Sequence, residues 1–204
     1  FDYTGLPDSS KWSYDVGNHG WGNNELQYYT ENRLANAQVK EGKLYITAHK
    51  ENYQGSRFTS ARLISKRKGD WKYGRIEVKA KLPAGRGIWP AIWMLPTDWV
   101  YGGWPESGEI DIMENVGFKP DSLFASIHTK AYNHVMGTNK TGAMLLTGMS
   151  ETFHVYAVEW SKKKIRVLVN NIPYLEFRKE NNNSDVWPFD KNFHLLLNIA
   201  VGGN

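Results

Sequence analysis

The sequence predicts an all-β fold in which two antiparallel sheets pack face to face. Three features carry that prediction. Apolar and polar residues alternate with a period of two in several short runs, the pattern of a strand with one buried face. Turn residues separate the runs at short intervals. Helical periodicity is scarce throughout the 204 residues.

In chain order, Leu44, Ile46 and Ala48 alternate with Tyr45 and Thr47. Ile76, Val78, Ala80 and Leu82 alternate with Glu77, Lys79 and Lys81, and Pro83, which has no N–H to donate, closes that run. Leu123, Ala125 and Ile127 alternate with Phe124, Ser126 and His128. Ile165, Val167 and Val169 alternate with Arg166 and Leu168, and Asn170-Asn171 then offers a tight hairpin turn into Tyr174 to Phe177. Phe193 to Val201 is almost continuously apolar, as expected of a central strand covered on both sides. Turns fall at Gly42, Gly69-Asp70, 85–87, Gly102-Gly103 and 117–121. Residues 178–192 are polar and Asn-rich and read as an exposed loop. With no repeat or linker in view, 1–204 reads as one domain, long enough to bury a full core.

Composition narrows the function. The chain has no cysteine, so disulfides, thiolate metal sites and a cysteine nucleophile are excluded together. It contains no apolar run approaching the roughly 20 residues of a helical membrane span. Net charge is +4, with acids scattered among the bases and no nucleic-acid motif, so nucleic-acid binding is not expected. No histidine pair has the H-E-x-x-H spacing of a catalytic zinc site, and no metal is expected at the site. Nine tryptophans and eleven tyrosines say more. Trp89, Trp93, Trp99 and Trp104 crowd among Gly and Pro just ahead of an acidic run, and flat amphipathic rings suit sugars.

That acidic run is Gly108-Glu109-Ile110-Asp111-Ile112-Met113-Glu114-Asn115. Alternation puts Glu109 and Asp111 on one face of a strand and Ile110 and Ile112 on the other. Strict alternation would bury Glu114 on the apolar side. One extra residue, Met113, absorbed as a β-bulge returns Glu114 to the acidic face. Three carboxylates on one face repel one another, and catalysis by paired acids gives a fold reason to keep them.

The run Glu109-Ile110-Asp111-Ile112-Met113-Glu114 resembles the catalytic signature of glycoside hydrolase family 16. Residues 22–29 (GNNELQYY), 87–95 (GIWPAIWML) and 197–204 (LNIAVGGN) are similar to segments of its laminarinase branch, in the same order. The resemblance implies a concanavalin-like β-jelly-roll with a substrate cleft across its concave sheet. It implies retaining endo-hydrolysis of β-1,3-glucan, with Glu109 as nucleophile, Glu114 as general acid/base and Asp111 between them. A retaining pair needs its carboxyls about 5–5.5 Å apart. The resemblance also implies that Asn24 and Arg62 hydrogen-bond sugar hydroxyls and that His128 supports the carboxylates. Trp89 and Trp104 are placed against the sugar near the cut, and Glu106 is a candidate contact.

The family's opening Trp-x-Asp-Glu-Phe survives only as Phe1, and its last strand after Gly-Gly-Asn is absent, so the chain reads as lacking both ends. Those ends usually supply a structural Ca²⁺ site, and no complete calcium site is expected in this chain; no cofactor is required. The expected protein is a secreted, monomeric, bacterial endo-1,3-β-glucanase. The alternatives are a hydrolase of agar, carrageenan or mixed-linkage β-glucan, or a β-glucan-binding lectin that does not cut.

Overall fold

The structure is a computed structural model and describes residues 1–203. Its regular elements are almost all strands, as the period-two alternation requires. Its main sheet has eight strands. Across it the order is Ser13–Asp15, Arg62–Ile64, Phe193–Val201, Ile88–Pro96, Glu109–Glu114, Ser122–His128 and Lys140–Leu145, with short Asp70–Trp71 joining the start of Phe193–Val201. All these neighbours run antiparallel. A second sheet, ordered Ile172–Arg178, Lys164–Val169, His154–Trp160 and Gly74–Ala80, covers one face of the first.

The packed layer between them shows why each run became a strand. Ile110, Ile112, Met113, Leu123, Ala125 and Ile127 point inward from the main sheet. Tyr156, Val158, Ile165, Val167 and Phe177 meet them from the second. The hairpin between Lys164–Val169 and Ile172–Arg178 turns at Asn170 and Asn171, with φ of 50° and 66°. Both central residues at positive φ match the right-handed twist of the flanking strands, and Asn tolerates that region better than most residues.

Two features differ from the expected plan. The sandwich carries two small accessory sheets, and in one of them Gln27–Tyr29 runs parallel to Ser56–Ser60. The other is the hairpin Ala37–Lys40 with Lys43–Ile46. The second difference concerns 178–192. Its Asn-rich start is exposed, but Trp187 and Phe189 are buried and close one end of the core. Phe189 packs its ring near those of Phe177, Trp187 and Phe193. The polar composition of the segment concealed two aromatic plugs.

Phe189→Ala would leave a cavity that strands on both sides cannot collapse to fill. Unfolding by denaturant should show a loss of about 3–5 kcal/mol, the usual cost of emptying a buried aromatic site. A loss under about 1 kcal/mol would mean that the segment is not part of the core.

Candidate active site

The face of the main sheet turned away from the second sheet is concave and holds a cleft of about 630 Å³. Its axis crosses the strands. Arg62 and Asn198 line one side, Trp89 and Trp93 the floor beside the acids, and Ser126, His128 and Asn139 the far side. Glu109, Asp111 and Glu114 all open into it.

A bulge makes that possible. Across to Ser122–His128, Asp111 pairs with Ser126 and Glu114 with Phe124, so Ile112 and Met113 together stand opposite the single Ala125. Across to Ile88–Pro96, Met113 pairs with Ile92 and Asp111 with Trp93. The residue left without a partner on that side is therefore Ile112, where the sequence pattern had pointed to Met113. Both side chains go into the core, 1 % exposed each, and the phase of the strand is reset so that Glu114 emerges beside the other acids.

Each glutamate is gripped by an indole. Trp104 Nε1 donates to Glu109 Oε2 at 3.0 Å, and Trp89 Nε1 donates to Glu114 Oε1 at 3.1 Å. The two rings placed against a sugar from the sequence thus also orient the acids. Trp89 needs room for this. Gly203 has φ of 102°, and a Cβ there would press on the Trp89 ring at 2.9 Å. His128 Nε2 lies 3.2 Å from Asp111 Oδ2 and 3.8 Å from Glu109 Oε1. Beside it, the rings of Trp104 and His134 meet at a tilt of 37° with centres 4.9 Å apart.

Burial sets the proton balance of the trio. It pushes Glu109 well above the usual carboxylate range, and the neighbouring charges of Asp111 and Glu114 push further. Burial and Glu114 do the same to Asp111, while Glu114 is raised by burial against the opposing pull of His128 and the Trp89 hydrogen bond. Asp111 and Glu109 share a hydrogen bond, so one proton can serve both. Burial thus favours protons on the trio and opposes three negative charges standing there together.

Glu109, Asp111 and His128 each offer a ligand atom within 4.8 Å of the others. This buried set with an imidazole does not fit a calcium ion, which takes six to eight oxygens.

On the far side from His128, Arg62 is held as a plane between two indoles, its guanidinium 4.6 Å from the ring centres of Trp21 and of Trp93. Arg62 Nε pairs with Asp15 Oδ2 at 2.9 Å. Trp93 Nε1 donates to Asn198 Oδ1, Asn198 Nδ2 donates to Tyr29 Oη, and the Tyr29 hydroxyl donates to Glu25. Two residues named from the sequence sit in turns near cleft-lining residues. Asn24 sits in the 20–26 turn with φ of 55°, and its neighbours Asn23 and Glu25 line the cleft. Glu106 packs against Gly102 in the 101–107 turn and does not line the cleft. Trp21, Trp93, Asn198, Ser126 and His134 were not assigned to the site from the sequence. Asn198 had a signal, an amide inside an apolar run. So did Ser126, which shares strand phase with His128.

The comparisons with known proteins agree with this geometry. The model of glycosyl hydrolases family 16 matches residues 23–204. The chain belongs to that family. It is 53 % identical over 210 residues to a beta-glucanase of Rhodothermus marinus, covering 100 % of this chain and 73 % of that protein. The crystal structure of the laminarinase from Rhodothermus marinus superposes with a TM-score of 0.97, covering 99 % of this chain and 83 % of the other at 53 % identity. A non-specific endo-β-1,3(4)-glucanase of the family, crystallised with an oligosaccharide at its active site, superposes with a TM-score of 0.96 at 42 % identity, covering 99 % of this chain and 81 % of the other.

The raised carboxyls carry a stability consequence. A carboxyl whose folded pKa lies above its unfolded value stabilises the fold while protonated, below the unfolded value, and that contribution is lost as pH rises through the folded pKa. At neutral pH the trio therefore strains this family 16 chain. Asp111→Asn should raise the thermal midpoint at pH 7 by several degrees, at about 2–4 °C per kcal/mol for a chain of this size, while impairing turnover. The gain should shrink towards pH 4. A variant less stable than the parent at pH 7 would contradict a carboxyl at Asp111 raised by burial and by Glu114.

Proposed function

We propose that this protein hydrolyses β-1,3-linked glucan chains internally, with retention of anomeric configuration, by double displacement. The observation that carries the reading is the presence of Glu109 and Glu114 in one cleft, each fixed by an indole N–H, with Asp111 between them in the strand. The Glu109 carboxylate attacks the anomeric carbon while the glycosidic C–O bond breaks and the leaving oxygen takes the proton of Glu114. Glu114, now a carboxylate, removes a proton from water as the water oxygen attacks the same carbon. The bond to Glu109 breaks, and both glutamates return to their starting states. Asp111 and His128 hold Glu109 in place and share its charge.

Substrate class follows from the walls and the relatives. The cleft continues on both sides of the acids, from Arg62 to Asn139, which suits cutting within a chain rather than at its end. Rings on the floor meet the apolar faces of the sugars, while Arg62 and Asn198 meet hydroxyls. Two relatives are named glucan endo-1,3-beta-glucosidases, and another extends to mixed 1,3(4) linkages. A lectin that only binds would have no use for three acids clustered at the centre of its groove. We further propose that the enzyme acts outside the cell as a monomer: its polymeric substrate does not cross a membrane, and one chain supplies the whole cleft.

Glu109→Ser should lose turnover on laminarin by several orders of magnitude. Added azide should then restore cleavage of an aryl β-glucoside and give the inverted α-glycosyl azide. An azide of retained configuration would exchange the roles of the two glutamates. New reducing ends should appear with laminarin and not with agarose, and the rate on lichenan reads the tolerance for mixed linkages. No release from laminarin would dismiss the proposal.

A further inference from the structure

The bulge frees a carbonyl from the ladder, and that carbonyl has a partner on the other side of the sandwich. Ile112 O accepts a hydrogen bond from the hydroxyl of Tyr174. Tyr174 belongs to Ile172–Arg178, the edge strand of the second sheet, so the bond passes through the core to reach the back of the acidic strand. Burial pushes the Tyr174 phenol well above its ordinary pKa, and Tyr156, Glu114 and Asp111 add to the push. The hydroxyl therefore stays protonated and acts as a donor throughout the working range. The approach is built in on the facing strand too. A Cβ on Gly142 would collide with the Tyr174 carbonyl oxygen, so glycine there lets the edge strand come close enough.

Position along the strand makes the consequence selective. Glu109 lies before the bulge, in regular pairing with His128. Glu114 lies two residues beyond Ile112, and its direction depends on the two peptide units between them. A backbone carbonyl buried without a partner is costly, so loss of the donor would favour rotation of those same units. We propose that Tyr174 is a positioning residue for the proton-transfer step: its hydroxyl clamps the Ile112–Met113 bulge from the opposite sheet and so sets the aim of Glu114. This rests on the assignment of Glu114 as acid/base made above.

The test compares Tyr174→Phe with the parent and with Glu114→Ala. Two substrates separate the steps: laminarin, and a 2,4-dinitrophenyl β-glycoside of laminaribiose, whose leaving group departs without a proton. In Tyr174→Phe, kcat on laminarin should fall about tenfold to a hundredfold, the scale of a misplaced catalytic group, with KM changed less than about twofold. The burst of dinitrophenolate should keep its parental rate, because attack by Glu109 is intact. Azide should speed turnover of that glycoside and yield the β-glycosyl azide, as it does for Glu114→Ala. The alkaline limb of kcat/KM should move to lower pH as Glu114 gains access to water, with the acid limb in place. Parental rates on both substrates would overturn the proposal, and so would an equal fall on both without azide acceleration, which describes general loosening of the fold. If Glu114→Ala itself shows no azide acceleration, the acid/base assignment fails, and the role of Tyr174 fails with it.

Discussion

The site depends on one local departure from strand geometry, two residues standing opposite Ala125 where a regular ladder has one. Without it, period-two alternation would send Glu114 into a core that already holds Ile110, Ile112 and Met113. With it, three acids share one cleft, and the two residues that absorb the phase change become core packing. The distortion is thus stabilised by what it buries. It is also held from behind, since the carbonyl it releases is bonded across the sandwich.

The remainder of the site arranges charge around that strand. A cluster of three carboxyls under burial cannot hold three negative charges without cost. The indole donors give each glutamate a fixed direction, while Asp111 and His128 stand together beside Glu109. Arg62, pinned between two rings and paired with Asp15, adds a rigid cation at a distance from the acids. The cleft is therefore set before substrate arrives, as stabilisation of a charged transition state requires.

Much of this was legible in the sequence, for physical reasons that differ by element. The strands 164–169 and 172–178 announced themselves through alternation and an Asn-Asn turn. The acidic strand stood out because its carboxylates violated an otherwise apolar pattern. The identity of the unpaired residue did not, since deletion of either Ile112 or Met113 restores the same alternation, and only the pairing to Ile88–Pro96 separates them. Asn24 and Glu106 were named by type and neighbourhood, and the structure puts both in turns. Trp187 and Phe189 were hidden by the polar residues around them. Tyr174 was invisible as a functional residue, because its contact lies 62 positions away in sequence and involves a backbone oxygen.

The most direct test of the central claim is removal of one bulge residue. The chain lacking Met113 should fold, as judged by far-UV circular dichroism and a cooperative thermal transition. The run Glu109-Ile110-Asp111-Ile112-Glu114 then alternates without a bulge and keeps all three acids on one face, so laminarin activity should fall by less than about tenfold, short of the hundredfold scale of a misplaced catalytic group. Removing Ile112 and Met113 together puts Glu114 next to Asp111 on the opposite face, and that variant should lose about a hundredfold or more. A folded chain lacking Met113 alone that loses as much as the double deletion would show that the phase of this strand does not aim the acid/base, and the bulge would lose its place at the centre of the site.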